Sequence, residues 1–310
     1  MTEAITWNTV SFPGLGGLHF ELNATALSIG SLHVRWYGVI IATAVILAMF
    51  LLSCNSARFG ITEENVFDYM LLAIPAGILG ARGYYILFYL ERFRRGDGSL
   101  DWLEMTRIQD GGLAIYGAII LCAIALILFC RIKGIRFFAF ADLMVFGLLL
   151  GQAIGRWGNF VNIEVYGRET TLPWRMGILD RMSGIYVEVH PTFFYEFAWN
   201  LLGIIVLALV LRRFHKFDGI TCCLYFVWYG LGRFWLEALR PDYFTLYLFN
   251  TNIPVSQAFA ALSALVAAVV LTALYRRYKA KPVPMYRERI KAKTTAKVET
   301  EKEAEDGNHH

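Results

Sequence analysis

Seven apolar stretches separated by short polar segments dominate the chain, at 36–54, 66–90, 112–130, 138–160, 192–211, 220–239 and 253–275. A helix needs about 20 apolar residues to cross the hydrocarbon core of a bilayer, and each stretch is of that order. The pattern predicts an all-α integral membrane protein with seven transmembrane helices. Residues 1–35 lack the basic start and apolar core of a cleavable signal peptide. Their "SFPGLGGLHFELNATALSIG" sets Phe and Leu between Gly and Pro, which predicts a short structured segment lying on the outer face. Residues 36–275 then form the membrane domain, with an outer loop at 161–191. Residues 276–310 carry a basic run and then an acidic one with no apolar period, and are expected to be a disordered cytoplasmic tail.

Composition agrees with the pattern. The chain is 57% hydrophobic, has a mean hydropathy of +0.48 and is 17% charged, against about 25% for a soluble domain. Nine Lys and Arg fall between 276 and 297. Under the positive-inside rule this tail places the C-terminus in the cytoplasm and, with seven spans, the N-terminus outside. Short loops decide little: three inner loops carry Arg58, then Arg131, Lys133 and Arg136, then Arg212, Arg213 and Lys216, while outer segments 91–111 and 161–191 hold four and three Arg. A basic patch beside a span faces anionic lipid, so no nucleic-acid partner is expected. Cys54, Cys122, Cys130, Cys222 and Cys223 sit in or at the ends of apolar runs without metal-ligand spacing, and read as small packed hydrophobes. No metal and no cofactor are expected.

Polar residues within spans are functional candidates, because hydrocarbon disfavours them. Five groups stand out. The stretch "GRWGNFVNIEVYG" (155–167) ends the fourth span; Arg156 and Asn159 share a helical face, and Gly155 and Gly158 let another helix approach. Asn162, Glu164 and Gly167 continue into the outer loop, and the bland alternative is a polar clasp between helix and loop. In the sixth span, Tyr229, Arg233, Glu237 and Arg240 fall within about 80° of arc, with Pro241 ending the helix. Two Arg and one Glu leave a positive charge that favours an anion; a plain Arg–Glu clamp accounts for only one Arg. "HPTFFYE" puts His190 at the mouth of the fifth span, with Tyr195 and Glu196 one turn in; His190 reads as a base or as a capping group. "GGLAIYG" opens the third span with Gly111, Gly112, Tyr116 and Gly117, and "HVRWYG" opens the first with Arg35 and Tyr37, where interfacial anchoring is the default. Arg82, deeper in the second span, is expected to pair with a carboxylate or line a cavity. Given the predicted orientation, all five groups converge at the outer end of the helices.

Arg, Asn and Tyr at headgroup depth suit a phosphate-bearing lipid, since the Arg fork matches phosphate oxygens. No Walker loop, Ser-His-Asp order or HExxH motif is present. The electrostatics indicate an enzyme acting on an anionic lipid or, alternatively, a transporter or binding protein for an anionic lipid or solute. The inner halves of the third, fifth and seventh spans are nearly all Ala, Val, Leu and Ile, which disfavours transport.

"GRWGNFVNIEVYG" resembles the prolipoprotein diacylglyceryl transferase signature G-R-x-G-N-F-x-N-x-E-x-x-G, keeping Gly155, Arg156, Gly158, Asn159, Phe160, Asn162, Glu164 and Gly167. The similarity extends over residues 30–275 through R-W-Y-G, A-R-x-x-Y, H-P-x-x-x-Y-E and Y-G-x-x-R-x-x-x-E-x-x-R. It implies transfer of the sn-1,2-diacylglyceryl group of phosphatidylglycerol to the lipobox cysteine of a preprolipoprotein, on the outer side of the bacterial inner membrane. A thioether forms and glycerol 1-phosphate leaves, the first step of lipoprotein maturation. The resemblance implies Arg156, Arg233, Tyr116 and Glu237 as catalytic. It implies Arg156, Asn159, Tyr37, Tyr229, Arg233 and Arg240 as holding phosphatidylglycerol, and Asn162, Glu164, Gly167, His190, Glu196 and Arg82 as supports. One slot departs from the family: many members carry His where Tyr116 stands. The proton acceptor stays open among Tyr116, His190 and the leaving phosphate.

Overall fold

The computed structural model describes residues 9–30, 32–96, 98–108, 111–180, 183–214, 216–241, 254–282, 284–292 and 294–296. The chain divides into two compact units, one of residues 1–51 with 141–285 and the other of 52–140 with 286–310. The helices of the described residues include α1 (Trp36–Ser56), α2 (Glu63–Phe88), the short α3 (Trp102–Thr106), α4 (Ile115–Lys133), α5 (Phe137–Val161), α6 (Thr192–Phe214), α7 (Ile220–Ala238) and α8 (Val255–Ala280). Six of them, α1, α2, α4, α5, α6 and α8, are long and apolar enough to cross a membrane. The protein is thus a multi-pass, mostly helical membrane protein. Helix α7 occupies the sixth predicted span, but Arg233 and Glu237 lower its hydropathy and keep it out of that set. The predicted start of the last span at 253 and the acidic run of the tail lie outside the described residues.

In the first unit, α6 and α7 are joined by a reciprocal notch. Trp199 lies against Gly232 and Trp228 against Gly203, the two indoles stack at 4.3 Å, and each Nε1 donates to the other tryptophan's carbonyl at 3.2–3.3 Å. A methyl group at either glycine would overlap an indole, so close approach here depends on having no side chain. Between Trp228 and Gly232 on α7, Gly230 faces Ala260 and Ala264 of α8 by the same device. At the other end of α7, the fully buried Asp142 of α5 accepts the amides of Gly219 at 2.6 Å and Cys222 at 2.7 Å. A carboxylate from a neighbouring helix thereby caps α7, where orphan N–H groups and the helix dipole favour negative charge.

The expectation of an all-α chain needs one correction, because this unit also carries strands. They are β1 (Thr9–Phe12), β2 (Leu18–Glu21), β3 (Thr25–Ile29), β4 (Leu32–Arg35), β5 (Met176–Leu179) and β6 (Tyr186–Val189). β2, β1, β5 and β6 form an antiparallel sheet in that order, while β3 and β4 form a separate hairpin running into α1. Under the sheet, Val10, Met176, Ile178 and Val189 bury against Ile163 and Tyr166 from the segment after α5, and against Phe193 of α6. The N-terminal segment and the loop at 161–191 are thus one packed head whose core includes residues of the signature stretch.

The second unit is organised by α2 and α4, which cross where Gly80 meets Gly117 so closely that a methyl on either would overlap the other's carbonyl. Thr62 caps α2 by accepting the Asn65 amide at 3.2 Å, and Gly134, at φ 67°, ends α4 in the left-handed conformation that glycine adopts without strain. The expectation of a disordered basic tail is corrected over 286–292, which is helical. This helix lies against Gly60, where any Cβ would sit 2.6 Å from Arg287 Cα.

Candidate functional site

Helix ends of the first unit gather the polar residues of three spans into one network. Arg156, near the C-terminus of α5, forms an ion pair with Glu196 Oε2 in the first turns of α6 and donates to Asn159 Oδ1 at 3.1 Å. Asn159 donates in turn to Glu164 Oε1 at 2.8 Å, which also accepts Asn162 Nδ2 at 3.4 Å. On the other side, Glu196 Oε1 lies 4.0 Å from Arg233 Nη1 of α7. Arg233 Nη2 stands 3.0 Å from Glu237 Oε2, too poorly aligned for a hydrogen bond but close enough for a strong charge contact. Glu237 Oε1 reaches Arg240 Nη1 at 3.5 Å, and the Arg240 carbonyl accepts Arg168 Nε at 2.8 Å.

Cations and carboxylates therefore alternate: Arg156, Glu196, Arg233, Glu237, Arg240. The carboxylates are the buried members, with side chains 8% and 2% exposed, while Arg156, Arg233 and Arg240 keep 25%, 15% and 24% of their side-chain surface. Along this run three guanidinium groups meet two carboxylates, and the Glu164 carboxylate joins it through Asn159. This corrects the expectation that Glu237 accounts for only one of its arginines: it touches both, and Glu196 further offsets the stripe. Burial, aided by the neighbouring Arg233, pulls the Arg240 guanidinium below its ordinary value, with Glu237 and Glu196 acting the other way.

Backbone strain holds the loop that carries Glu164. Ile163 and Val165 on either side adopt φ of 49° and 58°, the left-handed region that β-branched residues rarely enter. The contacts that impose it are visible: Ile163 is buried in the head core, its amide donates to Phe160 O at 3.0 Å, and Val165 O accepts Thr192 Oγ1 at 2.5 Å. The result turns Glu164 back, so that its amide meets Asn159 O at 3.0 Å while its carboxylate meets both asparagines. Gly167 then fits where a Cβ would lie 2.7 Å from His190 Cβ and 3.1 Å from Leu239 O; its amide donates to His190 O.

The other first-unit residues fall around this network. Tyr37 lays its ring on Gly158, where a Cβ would come within 2.7 Å of Cδ2, and Gly155 faces Ile41, so α1 and α5 approach along the two glycines. Tyr229 stands one turn before Arg233, its ring 6.2 Å from Tyr225, whose hydroxyl meets Gln152 Nε2 at 2.8 Å. His190 Nδ1 lies 3.2 Å from the Tyr195 hydroxyl, which also accepts Trp174 Nε1 at 2.7 Å; burial holds the imidazole below its ordinary pKa.

Two of the sequence-predicted residues belong to the second unit. Tyr116 is the second residue of α4, half exposed, with its ring 6.3 Å from Tyr84. Arg82 is buried and spends its donors on main-chain carbonyls: Met105 at 2.9 Å, Gly111 at 2.8 Å, Gly112 at 3.1 Å and Glu104 at 2.7 Å. It lines a small cavity of about 200 Å³ with Tyr85, Arg92 and Phe93, and ties down the turn that leads into α4.

Sequence reasoning placed Glu196 among the supports and did not foresee that it joins Arg156 to Arg233. The signal was present, because a glutamate one turn inside an apolar span needs cationic partners. Asp142, the cap of α7, was not singled out at all.

What the fold and the network define is a multi-pass helical membrane protein with an arginine-rich polar site at one set of helix ends. The chain belongs to the prolipoprotein diacylglyceryl transferase family, whose family model matches residues 24–273. Among curated relatives, a phosphatidylglycerol–prolipoprotein diacylglyceryl transferase of Listeria welshimeri is 39% identical over 275 residues, covering 86% of this chain and 94% of that protein. The protein of the same name from Lactiplantibacillus plantarum is 40% identical over 250 residues, 78% of this chain and 85% of the relative. A third, from Clostridium perfringens, is 36% identical over 265 residues, 84% and 97%.

Proposed function

We propose that this chain transfers the diacylglyceryl group of phosphatidylglycerol to the lipobox cysteine of preprolipoproteins, as an enzyme of the bacterial inner membrane. The observation that carries the reading is the alternating network, in which three partly exposed guanidinium groups share two buried carboxylates and so offer donors to a phosphodiester. In the reaction the cysteine sulfur attacks the glycerol carbon bearing the phosphate ester. The C–S bond forms, the C–O bond breaks with its electrons on oxygen, and glycerol 1-phosphate leaves. The thiol proton passes to a base or to the leaving phosphate.

Arg156 and Arg233 hold the phosphate as negative charge builds on it, an electrostatic role that gains strength away from water. Glu196 and Glu237 fix the two guanidinium groups, and Arg240 assists at the rim. Asn159, locked between Arg156 and Glu164, presents an amide to headgroup oxygens, and Tyr37 and Tyr229 flank the lipid. Tyr116, His190 or the leaving phosphate itself accepts the proton. Arg82, Asn162 and Gly167 act as supports. Seven crossings, an outer N-terminus, a site on the outer side and a cytoplasmic tail complete the reading, supported by the basic run after α8.

The test is direct. Purified protein given phosphatidylglycerol and a lipobox peptide yields a thioether-linked peptide and glycerol phosphate in equal amounts. Folded protein that makes neither overturns the reading.

A further inference from the structure

The head sheet has two edges, and they are finished differently. At the β6 edge, Glu169 bridges Val189, the Thr170 amide donates to Glu188 O at 2.8 Å, and the His190 amide to Arg168 O at 3.0 Å. The protein's own chain thus covers that edge next to the arginine network. At the other edge, β2 pairs with β1 from Leu18↔Phe12 to Glu21↔Thr9, and no strand lies on its far side among the described residues. All four β2 residues are exposed. Natural sheets blunt open edges with short strands, charged side chains, Pro, bulges or a covering segment. Here the strand is short and ends in Glu21, but its register is regular, it holds no Lys, Pro or bulge, and no strand covers it among the described residues.

Its position is specific. The Phe20 ring meets Phe160 edge-on at 6.4 Å, and Phe160 follows Asn159 in the signature stretch. Phe160 in turn packs on Phe193 at 4.6 Å, on the helix that carries Glu196. An extended peptide added along β2 would therefore run beside the α5 end that holds Arg156 and Asn159. Because side chains alternate along a strand, it would send every second residue toward the Leu18 and Phe20 side.

We infer that the outer edge of β2 receives the polypeptide substrate as an added strand, placing the residues around its cysteine beside the site. Main-chain pairing supplies affinity for a polypeptide substrate, and the side chains alternating toward Leu18 and Phe20 supply selectivity. The inference rests on the transferase reading and names how the protein substrate of that same site is held.

The experiment uses the full-length enzyme in phosphatidylcholine nanodiscs containing phosphatidylglycerol. Lipobox peptides each carry a single backbone N-methyl group, moved one residue at a time through the positions flanking the cysteine. Strand addition predicts a period of two: kcat/KM falls about tenfold at alternate positions, where a ladder hydrogen bond is lost, and holds at those between. The KM for phosphatidylglycerol stays unchanged throughout. A second arm replaces Phe20 with Lys, which is expected to raise the peptide KM about tenfold and leave the lipid KM alone. A flat or steadily graded N-methyl profile overturns the proposal. So does a Phe20→Lys effect confined to the lipid KM, which would make β2 a lipid anchor instead. If the unmodified peptide gives no thioether at all, the transferase reading fails, and that outcome is distinct from either.

Discussion

Glu196 touches guanidinium groups from two helices, and that makes it the residue on which the site's geometry turns. Replacing it with Gln keeps the shape but leaves Arg156 and Arg233 without their shared counter-charge. Breaking a fully buried pair costs about 3–5 kcal/mol; because both arginines keep some exposure, a loss nearer 2 kcal/mol is expected, read as a lowered Tm. Turnover should fall at least about tenfold, with Glu196→Asp recovering part of it, measured as thioether formation. Arg156→Ala should cost about 10²–10³ in kcat/KM, the usual scale for removing one stabilising donor. Val165 separates strain from function. Its φ of 58° costs about 1–3 kcal/mol for a β-branched residue, so Val165→Asn should raise the Tm while activity is kept, since Glu164 retains its partners. His190 carries the pH dependence. Its folded pKa lies below the unfolded value near 6.5, so the unfolded chain binds the extra proton. The stability it contributes is complete above that value and declines as pH falls from 6.5 toward the folded pKa. Thermal melts from pH 7.5 to 5.5 should show this slope in the native protein and lose it in His190→Gln. Of these roles, the sequence shows the arginines, as charges stranded in apolar runs. It hides the double pairing of Glu196 and the left-handed pair around Glu164, because both arise from contacts between segments far apart in the chain.

At the scale of elements, the spans are legible because one physical requirement, burying about 20 apolar residues in lipid, writes itself continuously along the chain. The predicted stretches at 192–211 and 220–239 become α6 (Thr192–Phe214) and α7 (Ile220–Ala238) within a few residues. The strands are another matter. β1 and β5 are four residues each and meet through Ser11 and Gly177, so neither has enough alternation to announce itself and neither is a sheet alone. The notch between α6 and α7 was also hidden, since a glycine in a span reads as a weak helix former until the opposing tryptophan is seen. It predicts a mutation whose effect reaches the site from a distance. Gly232→Val drives the Trp199 indole out of its slot, parts α6 from α7 and shifts Glu196 away from Arg233. Activity should drop more than about tenfold in protein that still folds. Gly151→Ala on α5 serves as the control, because a Cβ there meets nothing within 4 Å and should leave activity unchanged.

For the whole molecule, α7 decides how many times the chain crosses the membrane. Among the described residues six helices pass on length and apolarity alone, and six crossings would put both ends on one side. Arg233 and Glu237 are what keep α7 out, and an isolated charge at a span's centre is disfavoured by about 3 kcal/mol on insertion scales. Neither charge is isolated. Glu237 is buried between Arg233 and Arg240, and Arg233 also faces Glu196. All three lie in the last two turns of the helix or just past it, away from its middle. The opposite end of α7 is Ile-Thr-Cys-Cys-Leu-Tyr-Phe-Val, and its first amides are satisfied by Asp142. A helix whose charges are paired at one end and whose polar backbone is capped at the other can cross despite its average hydropathy. The proposed reading therefore expects seven crossings, with the N- and C-terminal segments on opposite faces. Single cysteines at Ser28 and Lys291 in a cysteine-free background test this with a membrane-impermeant maleimide. Intact cells should label the Ser28→Cys protein alone, and inverted vesicles the Lys291→Cys protein alone. Labelling of both from the same side would reduce the count to an even number and remove α7 from the membrane-crossing set.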